Sequence, residues 1–270
     1  MTDTLPLLAF HVHARQRLAR APILAPLLIV VEEGEKQITL DGQSLTCPAG
    51  HWIALAGRQR VDMQNTPDDR TGQYRAWALG SLDGWQARLH DLFGRQLAPL
   101  PKSAANSAFV PDETAKQSFA RLLELLPSAQ AGTLQAAQAE HAWQGLMLAL
   151  AMAEQGAALF SLEHRDLSES VLQLLRRDLT RDWLAGDIAA HLAMSEATLR
   201  RKLAREGQPF SRLLADARME CALGLVSCSR QPLGEVAAAC GYQSPSRFAA
   251  AFQRHFGASP RALRQMSAAG

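Results

Sequence analysis

The last third of the chain carries one pattern twice, and that repeat limits what this part can fold into. The first copy runs Ile188-Ala189-Ala190-His191-Leu192-Ala193-Met194, then Ser195-Glu196-Ala197-Thr198-Leu199-Arg200-Arg201-Lys202-Leu203. The second runs Val236-Ala237-Ala238-Ala239-Cys240-Gly241-Tyr242, then Ser244-Pro245-Ser246-Arg247-Phe248 on to Phe252. Each copy predicts a short apolar helix that is small where two helices must cross. A tight turn follows, and a polar N-cap (Ser195, Ser244) opens a second helix with basic residues on one side. A helix-turn-helix of this kind presents its second helix to the major groove of duplex DNA.

Between the copies, Gly207-Gln208-Pro209 interrupts the chain. Leu213, Leu214, Ala217, Cys221, Ala222 and Leu225 then recur at spacings of three and four, which predicts a linking helix from about Phe210 to Val226. A rod of that length suits two reading helices set near the ~34 Å between successive major-groove entries. Ser244-Pro245, Gln231-Pro232 and Ser259-Pro260 each predict a helix start with proline at its first position, where a missing N–H costs nothing. Gly241 suits the turn because glycine accepts positive φ, and Asp187 is expected to cap the first helix-turn-helix.

The formal net charge of +2 hides an asymmetry. From Arg165 onward there are 15 Arg/Lys against 10 Asp/Glu, whereas residues 1–164 carry 13 against 16. A basic C-terminal part beside an acidic N-terminal one fits a DNA-binding head on a regulatory body. The N-terminus lacks a charged segment followed by a long apolar stretch, and the longest apolar run, Ala21 to Val31, is interrupted by Pro22 and Pro26. Cys47, Cys221, Cys228 and Cys240 form no CxxC pair and no zinc spacing. A cytoplasmic protein with no membrane association and no cofactor is the expectation.

The N-terminal part has another texture. Short apolar runs at Leu27–Val31, Gln37–Leu40, Trp52–Leu55, Arg60–Met63 and Tyr74–Leu79 are cut by Glu33-Gly34, Asp41-Gly42 and Pro48-Ala49-Gly50. This is the pattern of an antiparallel barrel or jelly roll. By strand alternation, Leu28, Val30, Ile38, Leu40, Ile53 and Leu55 are expected to line an effector cavity, with Arg58 or Arg60 at its mouth either anchoring a carboxylate or simply solvated. Further on, Phe119, Leu122, Leu123 and Leu126 predict one helix, and Trp143, Leu146, Met147 and Leu150 the apolar stripe of a second between Gly132 and Gly156. That pair either packs on the barrel or mediates a homodimer, with Trp143, Leu146, Met147 and Leu150 as the interface core. Residues near 157–166 would then tether the DNA-binding heads.

From about Leu167 to Met266 the chain resembles the DNA-binding domain of the AraC/XylS family of bacterial transcriptional regulators. The resemblance rests on Ile188-Ala189, Ser195, Leu199, Arg201, Gly207, Phe210 and Arg218, then Val236-Ala237, Gly241-Tyr242, Ser246-Arg247-Phe248, Phe252, Phe256-Gly257-Ala258-Ser259-Pro260 and Arg264. In the barrel region, Gly42-x5-Pro48-x-Gly50 resembles the second motif of cupins, a domain common ahead of this DNA-binding unit. The implied fold is α+β in two parts: a cupin-like barrel over 1–110 with a helical pair over 111–160, then an all-α domain over 161–270 with two helix-turn-helix motifs. The implied function is sequence-specific regulation of transcription, usually activation, with promoter DNA, RNA polymerase and a small effector or partner protein as partners.

On that reading Ala197, Thr198, Arg200, Arg201, Pro245, Ser246, Arg247 and Ala250 face the bases, although either arginine of the first helix can instead serve a phosphate or an acidic neighbour. Ser195, Lys202, Arg205, Ser244 and Arg254 are phosphate candidates, and Arg218 is either one more or a buried structural arginine. The rival reading is a cupin metalloenzyme fused to a DNA-binding module. Against it, the first cupin motif around Glu32 to Leu40 lacks histidine, and His11, His13 and His51 are off the usual ligand positions.

Overall fold

The computed structural model describes residues 7–80, 84–98, 105–129, 132–160 and 167–267. Strands β1 (Leu7–Val12), β2 (Gln16–Ile23), β3 (Leu27–Glu33), β4 (Glu35–Leu40), β5 (Gln43–Pro48), β6 (Trp52–Leu55), β7 (Gln59–Thr66) and β8 (Tyr74–Leu79) follow one another closely. After helix α1 (Trp85–Leu97), β9 (Ser107–Phe109) returns to the sheet. Among the described residues two antiparallel sheets result, in the orders β1-β8-β3-β6-β9 and β2-β7-β4-β5. Asp41 and Gly42 both take left-handed φ, 48° and 80°, and make the two-residue hairpin that sets Leu40 opposite Gln43.

The sheets enclose a core of Val12, Ile29, Val31, Ile53, Leu55 and Tyr74 from the first and Leu18, Ile38, Val61 and Met63 from the second. The other face of the first sheet, with Leu28, Val30, Trp52, Ala54 and Leu79, is covered by α1, α2 (Glu113–Leu125) and α3 (Leu134–Met152). Burial on both faces explains why β3 reads as an unbroken apolar run. The expected lining set therefore divides: Leu28 and Val30 pack under helices, while Ile38, Ile53 and Leu55 fill the barrel with neighbours in contact and Leu40 is partly buried beside them. Outside the barrel, a void of about 10 Å³ lies at Leu28, Trp143 and Met147, and the exposed side of α1 at His90–Gln96 is open surface.

Across the second sheet, register aligns Gln16, Asn65, Lys36 and Cys47 in one buried row. Lys36 Nζ donates to Asn65 Oδ1 at 2.8 Å, Asn65 Nδ2 donates to Gln16 Oε1 at 2.8 Å, and the ammonium lies 5.7 Å from the Tyr74 ring centroid. Burial pushes the Lys36 ammonium down to about 8 and the Cys47 thiol up to about 12.

The helical stripe expected at a dimer interface is spent inside the chain. Trp143, Leu146, Met147 and Leu150 are each at most 3% exposed, packed against Trp85, Leu122 and the outer face of the first sheet. The stripe is apolar because its own chain covers that face of α3, so these four residues form no exposed patch. Of the expected tether, Ala158, Leu159 and Phe160 are buried in a 3-10 turn, and residues 161–166 lie outside the described residues.

The rest is helical: α4 (Leu167–Arg177), α5 (Ala185–His191), α6 (Glu196–Arg205), α7 (Phe210–Cys228), α8 (Leu233–Ala239), α9 (Pro245–Phe256) and α10 (Pro260–Met266). Leu199, Leu203, Ile188 and Leu213 close one core; Val236, Phe248, Phe252 and Phe256 join the barrel's own core through Met219, Ala222 and Val226 of α7. The helical head is thus docked on the barrel rather than merely tethered to it. Among the described residues no helix is long and apolar enough to cross a membrane. Leu150→Ala is expected to lower stability by about 2–5 kcal/mol in denaturant melts, equally at every protein concentration. A change in assembly with unaltered stability would contradict this placement.

Candidate nucleic-acid interface

The two helix-turn-helix units share their backbone chemistry. In the first, Met194 N–H donates to Ala189 O at 3.0 Å; in the second, Tyr242 N–H donates to Ala237 O at 2.9 Å. Ala193 and Gly241 occupy the matching left-handed position, with φ of 52° and 76°. Only the second demands glycine. A Cβ at Gly241 would sit 2.2 Å from the Leu179 carbonyl oxygen and 2.8 Å from the Arg218 guanidinium.

Ser195 Oγ accepts from Thr198 N–H at 3.2 Å and Ser244 Oγ from Arg247 N–H at 3.2 Å, so each serine caps its reading helix. Pro260 follows the Ser259 cap at the first position of α10, as its sequence predicts. Two expected caps shift. Pro232 is itself the residue before α8, and Asp187 lies inside α5, where its carboxylate accepts from Leu184 N–H at 3.1 Å. Apolar Leu184 and Ala185 precede Asp187 and hide the true helix start from a composition-based reading.

On α6, Ala197, Arg200 and Arg201 are exposed and Thr198 is half-buried; on α9, Pro245, Ser246, Arg247 and Ala250 are all exposed. Leu199, Leu203, Phe248 and Phe252 hold the opposite faces in the core. Arg200 pairs with Glu196 one turn back at 2.7 Å. Such an exposed pair contributes about 0.3–0.5 kcal/mol, less than the ~1–3 kcal/mol of a bidentate arginine–guanine contact, so DNA can displace it. Arg201, Lys202, Arg205, Arg247 and Arg254 are exposed with no ion pair among the described residues.

Arg218 is spent on structure. Its Nε donates to Leu179 O at 3.2 Å and its Nη2 to Arg181 O at 2.9 Å, tying the segment before α5 to α7 beside Gly241. Arg176 of α4 pairs with Glu220 of α7 at 3.0 Å. The α7 helix, 19 residues and therefore ~28 Å long, supports both units. We expect Gly241→Ala to cost about 1–3 kcal/mol in thermal melts through strain and steric crowding, and Ala193→Gly to be neutral or mildly stabilising.

A cluster that sequence reading missed joins this head to the barrel. Asp216 of α7, 4% exposed, pairs with Arg60 of β7 and lies 3.8 Å from Arg212 on its own helix and 3.8 Å from His255 of α9. Arg60 thus belongs to this contact rather than to a cavity mouth, while Arg58 sits half-buried in the preceding turn at φ 61°. Burial raises the Asp216 carboxyl, and Arg60 and Arg212 partly offset it. Burial, with the charges of Arg60, Arg20 and Arg254, holds His255 neutral and pushes it down from 6.5 to about 4; the Asp216 carboxylate, already taken by Arg60, does not reverse this. No single residue in this cluster has a motif, and Arg60 and Asp216 are 156 residues apart in sequence, so only the fold assembles them.

Because His255 is neutral when folded, the unfolded chain binds more protons between pH 6.5 and 4, and stability falls as pH drops through that window. Asp216, raised in the fold, works in the opposite sense, so the wild-type curve alone is ambiguous. The melting temperature of His255→Gln is expected to fall less steeply than that of wild type from pH 6.5 to 4. Parallel curves would show that the ring titrates normally.

As for the metal reading, His11 and His51 are half-buried, His13 is exposed, and His51 Nδ1 lies 3.4 Å from the Ala49 carbonyl of its own turn. Among the described residues no three His, Cys, Asp or Glu side chains gather where they could hold a metal ion.

Comparison with known proteins matches a helix-turn-helix domain family over residues 188–266, from α5 to α10. The transcriptional regulator SirC of Salmonella typhimurium is 42% identical over 92 residues, 34% of this chain and 31% of that protein. The transcriptional activator FapR of Escherichia coli is 36% identical over 104 residues, 38% of this chain and 40% of that protein. The matches thus span only about a third of the length of these curated relatives. Over the whole chain, a ligand-free point variant of ToxT from Vibrio cholerae has a similar fold, with TM-score 0.66 over 97% of both chains at 14% identity. Wild-type ToxT bound to an unsaturated fatty acid gives 0.64, over 98% of this chain and 96% of that one, at 16% identity. The match thus falls on the paired serine-capped helices and the linking helix between them, and over residues 188–266 this chain is similar to a helix-turn-helix domain.

Proposed function

We propose that this protein is a sequence-specific DNA-binding regulator of transcription, acting as an activator. The single observation behind this reading is the pair α6 and α9: two capped helices with exposed polar faces, carried by one linking helix. On this reading, residues 161–270 form the DNA-binding part, 1–110 the regulatory barrel and 111–160 the helical layer that covers it. One chain supplies two reading helices, so one chain serves two successive major-groove entries. Arg201 and Arg200 read bases in the first, Arg247 with Ser246 in the second, while Pro245 and Ala250 offer only apolar contact, suited to a thymine methyl. Lys202, Arg205 and Arg254, with the capped ends at Ser195 and Ser244, serve the phosphates. RNA polymerase is the partner that activation requires.

The barrel is read as the sensing part. ToxT, which shares the fold, has been solved with an unsaturated fatty acid; here Ile38, Ile53 and Leu55 fill the barrel beside buried Lys36, so an acid of that class would have to displace part of this packing to enter. An amphipathic acid is therefore the effector class to screen first, by thermal shift of the full chain. Assembly into a homodimer would need a surface other than the α3 stripe.

The operator is obtained by selecting duplexes from a random library on the full chain. On the selected site Arg201→Ala is expected to cost about 1–3 kcal/mol and relax discrimination at one base pair. Arg205→Ala is expected to weaken binding alike on all sequences. If Arg201→Ala changes neither affinity nor preference, α6 does not read the groove as assigned.

A further inference from the structure

We infer that the barrel itself touches DNA: Arg17 and Arg20 on β2 extend the backbone-contacting edge of α9 and pair with duplex phosphates. The inference rests on the DNA-reading assignment above and adds a surface to it. Although residues 1–164 are acidic overall, the stretch from Thr4 to Val31 contains Arg15, Arg17 and Arg20 and no carboxylate. Strand alternation on β2 turns Gln16 and Leu18 into the core and Arg17 and Ala19 outward. A bulge between Leu18 and Ala21, with Arg20 at φ 50°, turns Arg20 outward as well.

This strand packs against α9. Arg247, Ala250, Arg254 and Gly257 follow one another at spacings of three and four, so they form one stripe along that helix. At its far end a Cβ on Gly257 would lie 3.6 Å from the Ala19 Cβ. The stripe that begins at the groove-facing Arg247 therefore ends on β2 between Arg17 and Arg20. Arg20 of β2 and Arg254 of α9 both act on the His255 ring, which places the two guanidinium charges in one neighbourhood.

Neither Arg17, Arg20 nor Arg254 has an ion pair among the described residues. The acid nearest in the hydrogen-bond pattern, Asp62, accepts from the Arg20 backbone N–H at 2.7 Å and leaves the guanidinium unspent. A run of unpaired cations continuous with a reading helix fits a polyanion, and the duplex already seated on α9 supplies one. Phosphate contacts of this kind add affinity without sequence preference.

The test is fluorescence anisotropy of the full chain on its selected duplex across a salt series. Each phosphate contact contributes about 0.9 to the slope of log K against log salt. Arg17→Gln/Arg20→Gln is expected to lower that slope by about 2 and to weaken binding roughly tenfold per arginine near 0.1 M salt, with base preference unchanged. Arg17→Lys/Arg20→Lys should restore the slope, and Arg121→Gln, on α2, should leave it at the wild-type value. A slope unchanged in the glutamine variant overturns the barrel contact while leaving the reading helices intact, which Arg201→Ala reports separately. A slope unchanged but transcription reduced assigns the arginines to an acidic protein partner, and also overturns it. A wild-type chain that selects no duplex removes both this contact and the DNA-reading assignment beneath it.

Discussion

The Asp216 carboxylate sits at the junction of barrel, linking helix and second reading helix, and it is almost completely removed from water. A buried charge left without a partner costs about 3–5 kcal/mol, so the Arg60 guanidinium of β7 must stay where it is for α7 to stay where it is. The ion pair by itself adds little net stability, because both groups gave up hydration to form it. Its effect is positional. Apolar contact between Met219, Ala222 and Val226 and the barrel core provides the attraction, and the charge pair ties β7 to α7 at one point within it.

From that register the remaining geometry follows along α7. Arg218 binds the carbonyls of Leu179 and Arg181, Arg176 reaches Glu220, and Glu206 accepts from the N–H groups of Leu167 and Ser168. Arg218 and Glu206 satisfy loop and helix-end backbone groups that would otherwise be stranded, and with the Arg176–Glu220 pair they brace the first helix-turn-helix on α7. Phe248, Phe252 and Phe256 brace the second on the other, with ring centroids 5.8 and 4.6 Å apart. The outward faces of α6 and α9 are thereby free of structural duty, and residues as different as Arg201 and Ala250 can occupy them at little cost to the fold. A change in how the barrel holds α7 would therefore shift α6 and α9 together.

Much of this architecture is legible in the sequence. The helix-turn-helix pair is dictated locally by Ser195 and Ser244 as caps, by a turn with positive φ at Gly241, and by apolar residues at three- and four-residue spacing; that Gly241 also admits no Cβ depends on the distant Leu179 and Arg218. The hairpin at Asp41-Gly42 is local in the same sense. Less was legible where an element is buried on more than one side. The stripe Trp143, Leu146, Met147 and Leu150 looks the same in sequence whether a second copy or the chain's own first sheet covers it, and here the chain covers it. Strand β3 hid its two-sidedness likewise: Leu28 and Val30 face helices, Ile29 and Val31 the barrel interior, and an all-apolar run gives no phase to separate them.

The sequence by itself determined the helix-turn-helix character of the C-terminal part, the residues that cap and carry its second helices, and the strand-and-turn texture of the N-terminal part, because caps, turns and apolar spacing act between near neighbours along the chain. Only the tertiary structure decided that the head docks on the barrel, that Arg60 meets Asp216, that Lys36 lies in a buried row with Asn65 and Gln16, and that Arg17 and Arg20 border α9. Those contacts join residues far apart in sequence. Their partners are chosen by how the sheets and helices pack, and no local propensity carries that choice.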